Sequence, residues 1–369
     1  MKNICYVISG IDKAFAFEWI SELLDKNKYQ LFFVLLHSSG GGLEDYLITN
    51  NIPFKRIQYK TKKDLLIATY KTYQYLKLNK IEIVHCHLLD AGLAGILAAK
   101  MAGINNRIYS RHYSTYHHTY FPKGIWYDKI INRCSSKILA VSEVVKNVLI
   151  EREKVNPNKI QILHHGFPLK KFDEIPAEQI TKLKAKHGFS NNWPIIGVIS
   201  RYIEWKGIQY IIPAFENFLA EYPNAHLVLA NAKGPYEKEV KTLLETLPKD
   251  SFTEIPFEND LFTLFKSFDI FVHTPIDSHS EAFGQVYIES MAAGIPSIFT
   301  MSGIALEIVE ENVNALVVPP QNSNAILIKM IEIAGNAEMR LSLGIHGKNS
   351  VKDPFSINNM IKHLEELYA

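Results

Sequence analysis

Two glutamates and two cations carry the chemistry that can be read in this chain. The run Ser280-Glu281-Ala282-Phe283-Gly284-Gln285-Val286-Tyr287-Ile288-Glu289 sets two carboxylates with seven residues between them. Glu281 falls in a loop, and Glu289 in the second turn of a helix that Gly284 opens. A helix start offers amides without intrahelical acceptors and a positive dipole end, which suits a phosphate. Gly284 lets a ligand approach the backbone closely. Carboxylates repel phosphates, so the glutamates must serve hydroxyls. Glu289 can accept both hydroxyls of a ribose. Glu281, across the phosphates, can accept those of a sugar. Alone, the pair reads more readily as two solvated glutamates beside a helix dipole.

The second constellation is Ile199-Ser200-Arg201-Tyr202-Ile203-Glu204-Trp205-Lys206-Gly207. Arg201 follows a strand, and Lys206 and Gly207 open the next helix. Two cations on one loop can clamp a diphosphate and stabilise a departing nucleotide as charge builds on it. Alone, they also read as solvent-facing basic residues. A third candidate is His112, just after a strand ending at Arg111, where a ligand at the sheet edge would lie. A structural role is its competing reading. His85, His87, His117, His118, His164 and His165 lack the helical or Cys/His spacing of a metal site.

These residues sit in a regular alternation. Apolar, β-branched runs are expected as strands at Ile4–Ser9, Leu31–His37, Phe54–Tyr59, Ile81–His85, Arg107–Arg111, Lys137–Val141 and Lys159–Leu163. The pattern restarts at Ile195–Ser200. It continues at His226–Ala230, Phe252–Ile255, Ile270–His273, Ser297–Thr300 and Ala315–Val318. Helical patterns fill the gaps, as at Ala14–Asp25, Asp90–Ala102, Gly207–Glu221 and Gly284–Ala293. This is the βαβ signature of parallel sheets covered by helices. Two doubly wound α/β units predict ligands at strand carboxyl ends, in a cleft between two facing Rossmann-like domains. The expected domains are 1–175 and 190–353, with a C-terminal helix at about 354–369 packing back on the first. Pro168–Trp193, polar and Lys-rich, is read as the connector.

Composition fits such a fold. A chain of 369 residues suggests two domains. No run reaches the roughly 20 apolar residues of a membrane span, and the N-terminus reads as a first strand, not a signal peptide. Three scattered cysteines make neither a disulfide framework nor a metal knuckle, and a reducing cytoplasm is expected. Residues 1–175 carry 25 Lys/Arg against 15 Asp/Glu, and the rest 15 against 23. The basic half suggests an anionic partner. No nucleic-acid-binding module is recognised, and no nucleic-acid partner is expected.

Arg201…Lys206-Gly207, Glu281-Ala282-Phe283-Gly284 and Glu289 together resemble the signature of family-4 retaining glycosyltransferases of the GT-B fold, the glycosyl transferases group 1 family. Leu139-Ala140-Val141-Ser142-Glu143, Ile162–Phe167 and Ala292-Ala293-Gly294-Ile295-Pro296 resemble further segments of it. The resemblance implies transfer of a sugar from a nucleoside diphosphate sugar, a UDP-sugar foremost, to an acceptor hydroxyl with retention. Arg201 and Lys206 would hold the diphosphate. Glu281 and the backbone of Ala282, Phe283, Gly284 and Gln285 would hold sugar and phosphates. Glu289 would take the ribose, and His112 would stand beside the sugar's reacting face. Ser9 and Gly10 would line the donor site, in a loop that reads Ser9-Gly10-Ile11-Asp12 where the family often has Gly-Gly. His165 likewise replaces a family asparagine. No cofactor or metal is implied, because Arg, Lys and a helix start replace it. The implied acceptor is a glycan, glycolipid or protein in cell-surface glycan, polysaccharide or glycolipid assembly. The rival reading is a non-catalytic sugar-nucleotide-binding partner subunit.

Two segments suggest an anionic membrane surface as a further partner, with a peripheral location on its inner face. On a helix within residues 61–80, Leu65, Leu66, Tyr70, Tyr73 and Leu76 would share one face among lysines. Residues 113–127 carry Tyr113, Tyr116, Tyr120, Phe121, Trp126 and Tyr127 with Lys123. Ordinary packing on the sheet and an acceptor pocket are the competing readings.

Overall fold

The computed structural model describes residues 1–11 and 15–369. Asp12 of the loop after the first strand, and Ala14 at the expected start of the first helix, lie outside the described residues. The chain divides into two compact units, Met1–Phe167 with Ile357–Ala369, and Pro168–Ser356.

In the first unit the strands are β1 (Lys2–Ser9), β2 (Tyr29–Leu36), β3 (Phe54–Ile57), β4 (Ile83–His87), β5 (Asn106–Arg111), β6 (Lys137–Ala140) and β7 (Ile160–Ile162). They form one parallel sheet in the order β3-β2-β1-β4-β5-β6-β7. The second unit has β8 (Ile195–Ile199), β9 (His226–Ala230), β10 (Phe252–Ile255), β11 (Ile270–His273), β12 (Ser297–Phe299) and β13 (Leu316–Val317). Their order is β10-β9-β8-β11-β12-β13, again all parallel. All thirteen lie where the apolar runs predict, because strands buried on both faces read as continuous Val/Ile/Leu/Phe runs. Each sheet reverses its direction of winding once, between β1 and β4 and between β8 and β11. Such switch points are where doubly wound sheets bind ligands.

The core of the second unit packs Ile211, Phe215 and Phe218, from the helix Ile208–Phe218, against Val198, Leu227 and Val272. In the first unit the helix Ile357–Tyr368 buries Ile357, Met360, Ile361, Leu364 and Tyr368, a single helical stripe, against Tyr6, Tyr29 and Phe33. The chain leaves this unit at Phe167 and returns at Ile357, whose amide donates to the Phe167 carbonyl at 2.9 Å. Pro168–Trp193 carries the helix Ala177–His187 and belongs to the second unit.

The helix Leu65–Leu78 corrects one expectation. Its buried positions are Ala68, Thr69, Thr72 and Leu76, with Leu65 and Tyr73 half-buried. Leu66, Ile67 and Tyr70 are exposed. The expected stripe is therefore split between the sheet side and the surface. The buried positions include the small residues Ala68, Thr69 and Thr72, and the helix packs against the neighbouring helix Leu89–Met101. Among the described residues no helix is long and apolar enough to cross a membrane.

Candidate functional site

The two loops singled out by sequence meet at the switch point of the second sheet. Arg201 follows β8 and Glu281 lies eight residues beyond the end of β11. Gly207 makes the meeting possible. It takes φ +77°, and a Cβ there would stand 1.8 Å from the Thr274 carbonyl oxygen. The Ile276 amide also donates to the Trp205 carbonyl at 3.1 Å, tying the loop after β11 to the loop after β8.

Lys206 Nζ lies 2.5 Å from Glu281 Oε1. The same oxygen accepts from His273 Nε2 at 3.0 Å, and the Glu281 amide donates to Ser302 Oγ at 3.1 Å. Glu281 is buried. Burial works to raise its pKa, but Lys206 and His273 outweigh it and hold the carboxyl down at about 2. It is an anion at any physiological pH. Burial pushes His273 below its usual value against the pull of Glu281. Arg201 is exposed at the mouth of the same loop.

Gly284, at φ +82°, caps the helix Gln285–Ala292. A Cβ there would strike the Tyr287 ring at 2.7 Å. Phe283 is buried beside Phe355 and anchors the turn; Gln285 is exposed and Ala282 half-buried. Glu289 stands in the second turn and keeps part of its surface accessible. Burial alone raises its carboxyl to about 7. Among the described residues no charged neighbour offsets that cost, and hydroxyl donors to the charged form would lower it.

In the first unit, His112 follows β5. Its Nε2 is 2.9 Å from His87 Nδ1, and its ring stacks on His165 with centroids 5.4 Å apart. Burial, with His87 and His165 close by, pushes its pKa well below 6.5, so it is a neutral imidazole. His85 lies behind this group. Its Nδ1 meets the Tyr368 hydroxyl at 2.6 Å, and its Nε2 meets Ser110 Oγ at 2.7 Å. Ser9 is buried at the end of β1, and its hydroxyl accepts from the Ala91 amide at 3.2 Å, capping the helix Leu89–Met101. Gly10 follows at φ +64° and is exposed.

Sequence reasoning missed three features. His273 and Ser302 support Glu281 from a strand end and from a distant loop. A buried ionic cluster follows β5: Arg111 binds Asp128 at 3.1 Å and Glu153 at 2.5 Å, and His117 binds Asp128 at 2.6 Å. Tyr113 is only half-exposed and lies over the Arg111 guanidinium. The signal available for the cluster was the crowding of charged and aromatic residues from Arg111 to Asp128. Among the described residues, no group of three His, Cys, Asp or Glu side chains is arranged to hold a metal.

Comparison with known proteins bears on both units. The Glycosyltransferase Family 4 family matches residues 19–171, and the Glycosyl transferases group 1 family matches residues 179–350. This chain belongs to the family-4 glycosyltransferases. The glycosyltransferase is 26% identical over 345 residues to the capsular polysaccharide biosynthesis glycosyltransferase CapM of Staphylococcus aureus, covering 90% of this chain and 88% of that one. It is 21% identical to a UDP-Gal:alpha-D-GlcNAc-diphosphoundecaprenol alpha-1,3-galactosyltransferase of Escherichia coli, covering 98% and 94%. The crystal structure of Anabaena HepE in complex with UDP-glucose superposes with TM-score 0.86 at 19% identity, covering 100% of this chain and 99% of that one. The architecture is thus a two-unit α/β GT-B fold.

Proposed function

We propose that this glycosyltransferase moves a sugar from a nucleoside diphosphate sugar to an acceptor hydroxyl with retention at the anomeric carbon. The observation that carries the reading is the convergence of Lys206, Glu281 and the helix start at Gly284 on one switch point. In this reading Lys206 and Arg201 bind the diphosphate and stabilise the charge that grows on it as the sugar C1–O bond breaks. The amides at Gly284 and Gln285 add to that stabilisation. Glu281 accepts sugar hydroxyls, and Glu289 accepts the ribose hydroxyls. The acceptor oxygen bonds to C1 on the face the diphosphate leaves, and its proton passes to the departing diphosphate oxygen. Cationic side chains and a helix start supply the positive charge, so the reaction runs without a metal. The intact set Arg201, Lys206, Glu281 and Glu289 speaks against a non-catalytic partner subunit.

The donor is read as a UDP-sugar, which the UDP-sugar named for the Escherichia coli relative and the UDP-glucose bound to HepE support. Polysaccharide or lipid-linked glycan assembly is the proposed setting, in line with the names of the two relatives. The test is a thermal-shift screen of UDP, GDP and ADP, followed by donor-hydrolysis and transfer assays on the conjugates of the best binder. A protein that binds none of the three would overturn the reading.

We also propose that the first unit docks on an anionic membrane face, as a lipid-linked acceptor would require. Leu66, Ile67 and Tyr70 are exposed on one helix, and Trp126 and Ile130 on the helix Gly124–Cys134. Lys62, in the turn just before the first of these helices, holds its Nζ 5.0 Å from the centre of the Tyr127 ring on the second. Lys63, Lys71, Lys123 and Lys129 are exposed on or directly beside the same two helices. Exposed apolar side chains with lysines close by in the chain match the headgroup layer of anionic lipid.

A further inference from the structure

Glu281 is held by more than the lysine that faces the donor site. His273 is the last residue of β11 and is almost completely buried. Its backbone pairs with β12, where its carbonyl accepts from the Thr300 amide at 3.2 Å. Its ring stands edge-on to Tyr287, centroids 4.9 Å apart, and Tyr287 in turn donates to the Thr300 carbonyl at 2.9 Å. The imidazole therefore has a fixed position. A carboxylate only accepts, so Nε2 must carry the proton it shares with Glu281.

Lys206 and His273 converge on the same oxygen, Oε1, by way of 2.5 Å and 3.0 Å contacts. Those two contacts leave the second oxygen of Glu281 for another donor. Lys206 is thus bound to Glu281, and a diphosphate that draws its ammonium away breaks that contact. If Lys206 transfers to phosphate, Glu281 loses its principal counter-charge while still buried. A buried carboxylate without hydrogen bonds would swing away or take up a proton.

We propose that His273 is the positioning residue that keeps Glu281 in place when Lys206 moves from this carboxylate to the donor diphosphate. The inference rests on the reading of Glu281 as the sugar-holding carboxylate. The neutral imidazole is suited to the task. It donates one fixed hydrogen bond without adding a second permanent cation next to Lys206, so it does not compete for the phosphate.

The probes are the nucleoside diphosphate that most raises the melting temperature among UDP, GDP and ADP, and its glucose conjugate. Both are titrated by calorimetry against His273→Phe, His273→Gln, Glu281→Gln and the double variant His273→Phe/Glu281→Gln. His273→Phe keeps a ring but removes the donor; His273→Gln keeps an N–H near the position of Nε2. His273→Phe should bind the free nucleotide normally and lose about tenfold in affinity for the sugar conjugate, the scale of one hydrogen bond to a charged group. His273→Gln should recover most of that loss. In the double variant, the phenylalanine should add little to the loss caused by Glu281→Gln, because coupled residues are non-additive. Wild-type sugar-conjugate affinity in folded His273→Phe, no recovery in His273→Gln, or additive losses would overturn the positioning role alone. Normal sugar-conjugate affinity in Glu281→Gln would overturn the reading of Glu281 itself, and this inference with it.

Discussion

Lys206 Nζ and Glu281 Oε1 stand 2.5 Å apart, joined across two loops that follow β8 and β11. Lys206 keeps 18% of its side-chain surface accessible and Glu281 8%, so the cation is the partner better able to leave for a ligand. The pair also keeps both charges compensated before a donor arrives.

That relationship makes Lys206 a sensitive site. Lys206→Ala should lower turnover by on the order of 10²-fold, as loss of one transition-state charge stabiliser does. Arg201→Ala should act in the same direction. The two should differ in melting temperature. Among the described residues exposed Arg201 has no buried partner to strand, whereas Lys206→Ala leaves Glu281 with one fewer hydrogen bond and should destabilise by about 1–3 kcal/mol. Steady-state kinetics and thermal melts on both variants check this; wild-type turnover in either would refute the diphosphate assignment.

The two glutamates should separate in their ligand and pH behaviour. Glu281→Gln should spare free nucleotide and harm only the sugar-bearing donor, while Glu289→Gln should weaken both. Burial raises the Glu289 carboxyl from 4.5 to about 7. Its folded pKa lies above its unfolded one, so the native state loses stability as pH rises from about 4.5 through 7. Glu289→Gln should therefore stabilise the ligand-free protein by roughly 1–3 kcal/mol above pH 7, with the gain fading below about pH 5. Nucleotide affinity of the wild type should rise across the same window as Glu289 ionises, and that slope should vanish in Glu289→Gln. Calorimetric titrations and melts at several pH values decide it. Equal nucleotide losses in Glu281→Gln and Glu289→Gln would contradict the division of roles.

Chelation offers a separate check. Lys206, Arg201 and the helix start are proposed to do the work a divalent ion does elsewhere. Activity should survive EDTA unchanged. Loss of turnover that returns with added magnesium or manganese would place a metal in the reaction.

The surface of the first unit leads to a lipid experiment. Binding to vesicles containing anionic lipid should weaken with salt and fall when Lys63, Lys71 and Lys123 become Glu, each lysine contributing up to about 1 kcal/mol. Lys62 is the wrong probe, because it is bound to Asp90 within the fold. Replacing Trp126 by Ser should reduce binding further without lowering the melting temperature, since this side chain is 70% exposed. Absence of co-sedimentation with anionic vesicles at low salt would favour a soluble acceptor.

The sequence by itself determined the two βαβ series, because strands buried on both faces must be nearly continuous apolar runs wherever they pack. It also determined the chemistry-bearing loops, because Arg201, Lys206, Gly207, Glu281, Gly284 and Glu289 follow strand ends at fixed, local spacings. The tertiary structure alone decided which side chains serve those residues. His273 reads as one more residue of a buried strand; only its pairing with β12 and the path of the following loop aim it at Glu281. Ser302 lies 21 residues beyond Glu281 and reaches it through the fold. The buried face of Leu65–Leu78 was equally illegible, because its apolar residues lie on several sides and tertiary packing buries Ala68, Thr69 and Thr72 while leaving Leu66 and Ile67 exposed. Tyr368 meets His85 across 283 positions of chain. Spacing in sequence encodes local geometry, whereas contacts between distant segments depend on how whole faces pack, and many sequences of the same pattern would pack them differently.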